Sequence, residues 1–278
     1  MQVNERTAGP GKLITVTGID GAGKTTLATA LNAALTADGH DVVLAGKLEA
    51  QIPGDSDPAA YLKRVRAVVY DRPATVSAAT GDHYWLFALA AWYTLQDQFI
   101  IRPALQAGTH VILDNSHHKI LARYGARATV PGHLARLVFA HLSTPDIVLL
   151  LQVSPGQALA RKQSFTPLET GHTGTASSAF LTYQTEVARQ LRQQAGQSWA
   201  IIDVDDKPAT QVLAEAMAAL RCRLRPCSCH RAATLPHRED GTCKPIRRPS
   251  TSGTASPGPA AHRYSCSPTP ARNCTASR

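Results

Sequence analysis

The sequence predicts an α/β protein with a doubly wound parallel sheet, because short apolar runs alternate with helical patterns and a glycine-rich loop follows the first run. The runs are rich in residues that favour β-strands and are bounded by Gly, Asp or Pro, as is typical of strands buried on both faces. They occupy residues 13–17, 41–45, 110–113, 146–153 and 199–204. Helical crossovers between these runs predict a five-stranded parallel sheet flanked by helices.

Helical patterns fill the intervals between these runs. The first pattern ends just before Gly39, a residue type that often terminates helices in a left-handed conformation. Three later patterns begin with proline, which is favoured in the first turn of a helix. The predicted helices are 25–37, 59–70, 81–106, 131–142, 155–163, 177–194 and 208–220.

The composition changes abruptly after Arg221, which predicts a folded body at 1–221 and a separate tail at 222–278. The body contains 19 Lys and Arg residues against 18 Asp and Glu residues, whereas the tail contains 10 against 2 and holds all six cysteines. The tail is rich in proline and shows no apolar periodicity, so it cannot bury enough apolar surface to offset its ordering entropy. We predict that the tail is disordered.

Three alternatives for the tail stay open. Its cysteines and histidines could bind zinc, although no paired C-x2-C spacing occurs. Its positive charge could attract nucleic acid, but only one aromatic residue, Tyr264, is available for stacking, so we do not expect a nucleic-acid partner. The tail could also be translated out of frame.

The net charge of +9 resides almost entirely in this tail and therefore says little about the body. No apolar run approaches the ~18 residues that a membrane span requires. The N-terminus lacks the apolar stretch of a secretory signal, and the body has no cysteine, so we expect a cytoplasmic protein with no membrane partner.

The clearest motif is Gly-Ile-Asp-Gly-Ala-Gly-Lys-Thr at 18–25, which fits the P-loop pattern G-x-x-x-x-G-K-[ST]. A predicted strand precedes it and a predicted helix begins within it, so its backbone N–H groups can surround a phosphate chain. Lys24 is expected to neutralise phosphate oxygens, and the Thr25 hydroxyl is expected to ligate Mg²⁺. The alternative is an ordinary glycine-rich turn. The predicted ATP-binding residues are Gly18, Asp20, Gly21, Ala22, Gly23, Lys24, Thr25 and Thr26.

With this motif, the chain resembles the thymidylate kinases among the P-loop nucleoside-monophosphate kinases. The similarity continues in GHDVVLAGK (39–47), RPALQAGTHVILD (102–114), LLLQVSPGQALARK (149–162) and IIDVDDKPATQVLAEAMAAL (201–220). The resemblance implies a P-loop NTPase fold and a kinase that moves the γ-phosphoryl of ATP, with Mg²⁺, to a small-molecule acceptor such as dTMP. It also implies a homodimer.

The resemblance assigns roles to several residues. Asp20 corresponds to the acid that contacts the acceptor's sugar hydroxyl. Asp114 corresponds to the acid that supports Mg²⁺, and its alternative role is a helix N-cap. Arg161 is the candidate for stabilising charge on the transferred phosphoryl group, unless it is a solvated cation. The predicted catalytic residues are therefore Lys24, Asp114 and Arg161, and the predicted metal ligands are Thr25 and Asp114.

Three positions depart from the arginines of the family: Lys47 follows the second strand, Tyr93 lies in the long helix, and Asn115 follows Asp114. Together with Asp20 they are the candidate acceptor-binding residues. Asn cannot reproduce the two-pronged phosphate contact of a guanidinium. Either the acceptor is a different metabolite, or another arginine fills in, from among Arg72, Arg123 and Arg127. A P-loop ATPase or nucleotide switch without an acceptor is a further alternative.

Other residues have two interpretations each. His117 and His118 could act as a base or bind phosphate, or could be exposed polar residues at a helix start. The segment 203–208 lies against adenine in the family, and would otherwise be a plain connection before a helix. The aromatic residues of the long helix could stack on a base or belong to the core. They are Tyr84, Trp85, Phe87 and Trp92.

Overall fold

The computed structural model of the protein describes residues 10–46, 57–71, 73–162 and 164–224. At its centre lies a five-stranded parallel sheet with the order β2-β3-β1-β4-β5, which confirms the predicted fold class. The strands are β1 (Leu13–Gly18), β2 (Val42–Ala45), β3 (His110–Asp114), β4 (Ile147–Gln152) and β5 (Trp199–Asp203).

The helices cover both faces of this sheet. They are α1 (Lys24–Ala37), α2 (Asp57–Tyr70), α3 (Ala74–Ala79), α4 (Asp82–Gln96), α5 (Arg102–Gln106), α6 (His117–Arg127), α7 (Gly132–Leu137), α8 (Pro155–Ala160), α9 (Ser177–Gln194) and α10 (Ala209–Leu224). The predicted helix 81–106 is divided into α4, a π-helical turn at Asp97–Ile101, and α5. Within the described parts of the chain, none of the helices combines the length and apolarity that crossing a bilayer requires.

Alternation along the strands divides the apolar residues into two layers. Ile14, Val16 and Ile112 pack with residues of α1, α9 and α10 on one face of the sheet. Leu13 and Val111 pack with residues of α2, α4 and α6 on the other face. Because both faces are covered, every residue of β1 is buried, as the unbroken apolar run predicts.

Strand register places the functional ends of three strands together. In the central pair of the sheet, Val16 lies opposite Asp114, and on the other side of β1, Gly18 lies opposite Leu151. The carboxyl ends of β1, β3 and β4 therefore meet at one edge, the position at which open α/β sheets bind ligands.

The helix α6 is missing from the sequence-based set. Its buried face contains a charged residue, Lys119, beside Ile120, Ala122 and Tyr124. An apolar periodicity that is interrupted by a buried lysine does not identify a helix, because the pattern depends on apolar residues recurring on one side. The predicted helix 131–142 is correspondingly shorter, as α7 ends at Leu137.

Some predictions concern residues outside those that the structure describes. The candidate acceptor residue Lys47, the alternative Arg72 and the tail beyond Leu224 belong to this group. The helix α10 continues past the predicted boundary at Arg221 as far as Leu224. The disorder of the tail stays a prediction.

Candidate functional site

The glycine-rich loop between β1 and α1 is held in a conformation that side chains disfavour. Gly21 has φ +84°, and a Cβ atom added to it would lie 2.6 Å from the backbone oxygen of Ala158 on α8. Gly23, which precedes α1, has φ +87° with open space around it. Both positions therefore require glycine, the first for space and conformation and the second for conformation alone. The loop delivers the amino terminus of α1, with its unpaired N–H groups and partial positive charge, to the edge of the sheet.

Lys24 folds back over this loop. Its Nζ donates a hydrogen bond of 2.7 Å to the backbone oxygen of Ile19. Burial lowers the pKa of Lys24, while the charge of Asp20 opposes that effect. A phosphate chain seated in the loop would provide an anionic partner for this buried cation.

Thr25 in the first turn of α1 and Asp114 at the end of β3 bring two side-chain oxygens together. The Thr25 hydroxyl donates to Oδ2 of Asp114 at 2.8 Å, and Asp114 is buried at the last position of β3. Mg²⁺ prefers oxygen donors and takes only one or two carboxylates from the protein when it also binds phosphates. The hydroxyl and carboxylate therefore fit Mg²⁺ at the position that the sequence predicted for the metal.

A large cavity of about 580 Å³ opens beside Asp20 of the loop. Its walls come from α2, α4, α6, α9 and the segment 164–172 that follows α8. Apolar and aromatic side chains line one part of the cavity, and charged side chains line the part next to Asp20. The lining residues include Asp20, Tyr70, Asp82, Trp85, Leu89, Asn115, Lys119, Arg123, Arg127 and Glu169.

The charged part of this cavity is centred on Asp20. Lys119 donates to one carboxylate oxygen of Asp20, and Arg123 Nη2 donates to the other at 2.9 Å. Gln184 on α9 holds the same residue twice, because its Nε2 donates to Oδ2 and its Oε1 accepts from the Asp20 amide, both at 3.1 Å. Asp20 therefore links the loop to α6 and α9.

Electrostatics keep Asp20 ionised. Burial by itself would raise the pKa of Asp20, but Lys119, Arg123 and Lys24 outweigh that effect and hold it well below its ordinary value. Burial likewise disfavours the charge of Arg123, yet the nearby Asp20 prevails and raises the pKa of Arg123. For Lys119 the balance is reversed, since burial lowers its pKa well below the ordinary value despite the attraction of Asp20.

Two further ion pairs lie around the cavity. Arg127, one turn beyond Arg123, pairs with Asp82 at the start of α4 at 2.9 Å. Lys162 pairs with Glu169 at 2.9 Å, and Gln184 donates to the Glu169 carbonyl at 2.7 Å. The segment 164–172 thus lies along the cavity and, among its described residues, contains the 3₁₀ turn Pro167–Glu169.

The candidate acceptor residues Asn115 and Tyr93 have different environments. Asn115 lines the cavity in a left-handed conformation with φ 70°, which Asn tolerates better than most residues, and its Oδ1 is buried with no hydrogen-bond partner in the described part of the chain. Tyr93 is 4% exposed and packs edge-on against Phe139. Burial raises the pKa of Tyr93, assisted by Tyr70; Tyr70 lines the large cavity, whereas Tyr93 does not.

Arg161 lies on the opposite side of the loop. Its Nη2 donates to the backbone oxygen of Val204 at 2.7 Å. It lines a smaller cavity of about 210 Å³ together with Gly23, Thr26 and Lys207. The segment 203–208 therefore meets the loop at this smaller cavity, as the resemblance implies for the residues near adenine.

His117 and His118 match neither of the two roles that the sequence suggested for them. His117 stacks on Phe139 with ring centroids 5.6 Å apart, and His118 approaches Trp199 edge-on at 5.0 Å. Both are partly buried rather than exposed, and neither lines the large cavity. Burial, with His118 as a second cause, lowers the pKa of His117 to about 3.

The aromatic residues of α4 fall into a buried pair and an exposed pair. Trp85 and Trp92 are buried, whereas Tyr84 and Phe87 are exposed. Trp85 lines the cavity and Trp92 meets Tyr70 edge-on in the core. Only Trp85 of this set is therefore placed both to pack and to face a ligand.

Sequence reasoning missed Lys119 and Gln184, and named Arg123 and Arg127 only as open alternatives. Lys119, Arg123 and Arg127 are spaced by four residues, which places them on one side of a helix. That spacing was the available signal, but it became interpretable only once α6 was recognised as a helix.

Comparisons with known proteins agree with this architecture. A family model described as thymidylate kinase matches residues 16–215. The thymidylate kinase of Deinococcus radiodurans is 29% identical over 216 residues, covering 76% of this chain and 96% of that protein. The thymidylate kinase of Desulfovibrio desulfuricans is 30% identical over 220 residues, with the same coverage of 76% and 96%.

A solved structure shares the fold. The thymidylate kinase of Candida albicans superposes with a TM-score of 0.56 at 17% sequence identity, over 77% of this chain and 92% of that one. At this identity the likeness supports the fold, whereas the family model and the two bacterial relatives support the family.

Proposed function

The chain belongs to the thymidylate kinase family and is an ATP-dependent kinase, and we propose that it transfers the γ-phosphoryl group of ATP to dTMP. One observation carries the proposal: the phosphate-binding loop has a cavity on each side. The smaller cavity shares Gly23 and Thr26 with the loop, and the larger cavity shares Asp20. A donor nucleotide and an acceptor nucleotide can therefore approach the same loop from opposite sides.

The donor side suits ATP. The loop amides and the amino terminus of α1 would hold the triphosphate, and Lys24 would exchange its bond to Ile19 for phosphate oxygens. The adenine would occupy the smaller cavity beside Val204 and Lys207. Arg161, whose guanidinium is hydrogen-bonded to the backbone oxygen of Val204, would then contact the donor nucleotide near its base.

Thr25 and Asp114 are the residues that would hold Mg²⁺. When bound there, the ion would neutralise charge on the phosphates during transfer. Asp114 is fixed for this task by its place at the end of β3 and by its hydrogen bond from Thr25.

The acceptor side suits a nucleoside monophosphate. Trp85, Leu89 and Tyr70 line the larger cavity and offer apolar and aromatic surface to a pyrimidine base. The charged residues around Asp20 would receive the sugar and phosphate end, and Asn115 faces the same space. The contact of Asp20 with the sugar hydroxyl and the contribution of Lys47 stay predictions.

In the reaction, the acceptor oxygen attacks the γ-phosphorus in line with the bond that breaks. A phosphate oxygen of dTMP supplies the electron pair for a new bond to the γ-phosphorus, while the bond from that phosphorus to the β,γ-bridging oxygen breaks. The products are dTDP and ADP, and the bridging oxygen leaves with the electron pair as part of ADP. The protein contributes position and charge rather than a covalent intermediate, and the segment 164–172 would exclude water from the phosphates.

The test is release of ADP by the full chain with ATP and Mg²⁺, alone and with dTMP, dCMP, dGMP, AMP or a phosphorylated sugar. We expect dTMP to stimulate ADP release most strongly. Asp114→Asn keeps the shape of the side chain but removes its charge, and should lower the dTMP-dependent rate by about a hundredfold. Equal release without any acceptor would favour an ATPase, and stimulation by another compound alone would favour a different kinase.

The cellular location and the oligomeric state are two separate proposals. We propose that the protein acts in the cytoplasm, since the described domain has no membrane-spanning helix and residues 1–221 have no cysteine. We also propose a homodimer, on the resemblance alone. Cell fractionation tests the first proposal and sedimentation equilibrium tests the second.

A further inference from the structure

The acceptor site poses a charge problem. A phosphate monoester carries up to two negative charges and is bound best by guanidinium or ammonium groups. At positions 93 and 115, where the resemblance implies arginines, this chain has Tyr93, which does not line the cavity, and the uncharged Asn115. Among the described residues, a phosphate acceptor in this cavity therefore depends on cations from another element, whereas the candidate Lys47 lies outside them.

Helix α6 carries cations to the required place. Lys119 and Arg123 are four residues apart, so they lie on one side of the helix. Both line the large cavity, and both reach the carboxylate of Asp20 in the phosphate-binding loop. Their charged groups consequently lie where the acceptor side of the cavity meets the donor loop.

The charges around Asp20 are not balanced. Two cations, Lys119 and Arg123, form ion pairs with this single carboxylate. Surplus positive charge is costly away from water unless a further anion compensates it. Arg123 also has an unused donor, because its Nε is buried with no hydrogen-bond partner among the described residues.

Arg127 provides the contrast on the same helix. It lines the same cavity, but it forms a one-to-one pair with Asp82, so no surplus charge is left at that point. All three cations of α6 line the cavity. Lys119 and Arg123 differ from Arg127 because they share one carboxylate and contact the phosphate-binding loop.

We propose that Lys119 and Arg123 bind the phosphate of the acceptor nucleotide and take the place of the arginines that this chain lacks at positions 93 and 115. The proposal rests on the proposed function. Asp20 holds both cations in position before the acceptor arrives. The incoming phosphate then supplies the missing negative charge and takes up donors of Lys119 and Arg123.

The test compares two ligands that differ only in the phosphate. Calorimetry with the full chain gives dissociation constants for dTMP and for thymidine, and their ratio isolates the phosphate contribution. In Lys119→Met and in Arg123→Met, we expect the preference for dTMP over thymidine to fall by about ten- to a hundredfold. Thymidine affinity should change little, and Arg123→Lys should recover part of the preference.

A matched control accompanies these measurements. Arg192→Met removes a positive charge from the exposed last turn of α9 and should keep the preference for dTMP. Thermal melting checks folding, and if Lys119→Met does not fold, the partly exposed Arg123 decides the outcome.

Either of two results overturns the assignment. One is an unchanged preference for dTMP in Arg123→Met, and the other is an equal loss of dTMP and thymidine affinity, which would indicate a merely structural role. A different result identifies failure of the proposed function, namely wild-type protein that neither binds nor phosphorylates dTMP. That result removes the proposal together with the function, whereas the first two leave the kinase activity standing.

Discussion

The donor side and the acceptor side of the phosphate-binding loop are built in different ways. The donor side comes mainly from one continuous segment, 18–26, supported by Asp114 from the neighbouring strand. The acceptor side collects side chains from α2, α4, α6, α9 and the segment 164–172. Residues that are distant in sequence, such as Asp20 and Gln184, form its hydrogen bonds.

Because of this difference, the two sides tolerate different amounts of sequence variation. A triphosphate is held largely by backbone N–H groups, which require glycine at defined positions and leave little freedom in sequence. An acceptor phosphate is held by side-chain charge, which can arrive from any element that reaches the same point. The donor side of this chain therefore carries a recognisable motif, while the cations that we propose for the acceptor phosphate lie on α6.

The largest effect should come from Lys24→Ala, which separates the two sides most sharply. Loss of the cation that meets the triphosphate should lower kcat for dTMP phosphorylation by about a thousandfold or more. Binding of dTMP should persist, because Lys119 and Arg123 remain. Coupled kinetics and calorimetry measure the two quantities, and Lys12→Ala, a surface variant paired with Asp146, is the control. Retention of a tenth of the wild-type turnover would contradict the role of Lys24.

A smaller effect should distinguish two glycines within the donor loop. Gly21→Ala combines a left-handed φ with a 2.6 Å approach to the Ala158 oxygen, so we expect a loss of about 3 kcal/mol in the free energy of unfolding. Gly23→Ala meets no neighbour and should lose only the conformational cost of about 1–2 kcal/mol. Urea unfolding of both variants gives the comparison. Equal losses would show that the contact with α8 contributes nothing.

The smallest effect concerns the side of α6 that faces away from the cavity. The pKa of His117 is lowered to about 3 in the folded protein, against about 6.5 in an unfolded chain. Between these values the unfolded chain binds a proton that the folded chain does not, so stability falls as pH falls, by up to about 1.4 kcal/mol per pH unit.

Replacing His117 by Phe removes this proton while keeping a ring against Phe139. We expect His117→Phe to lose less stability than the wild type between pH 6.5 and pH 5, as measured by urea unfolding at each pH. His133→Phe, on the exposed start of α7, is the matched control and should keep the wild-type dependence. An identical pH dependence in His117→Phe and wild type would remove His117 as the cause.

The fold was predictable because its signals are local. Residues 147–151 are all apolar and residues 13–17 are apolar or β-branched, and a strand covered on both faces accounts for that pattern over so short a length. The loop 18–25 was predictable for a similar reason, since its motif lies within a single strand, turn and helix. Asp114 could be placed because it ends a strand that neighbours β1.

The acceptor side was less predictable because burial reverses the usual meaning of residue types. Lys119 is 2% exposed, although a lysine in a sequence ordinarily indicates a solvated position. Tyr93 occupies an expected acceptor position by alignment, yet packing against Phe139 places it in the core. His117 is held by the same Phe139 and lies away from the cavity.

The sequence by itself determined the sheet, the phosphate-binding loop and the position of Asp114, because each depends on residues close together in the chain or on the order of parallel strands. Only the tertiary structure decided which cations meet Asp20. That choice depends on the packing of α6 beside the loop and α9, since charge acts through space and the distance between Lys119 and Asp20 is fixed by helix packing rather than by their separation in sequence.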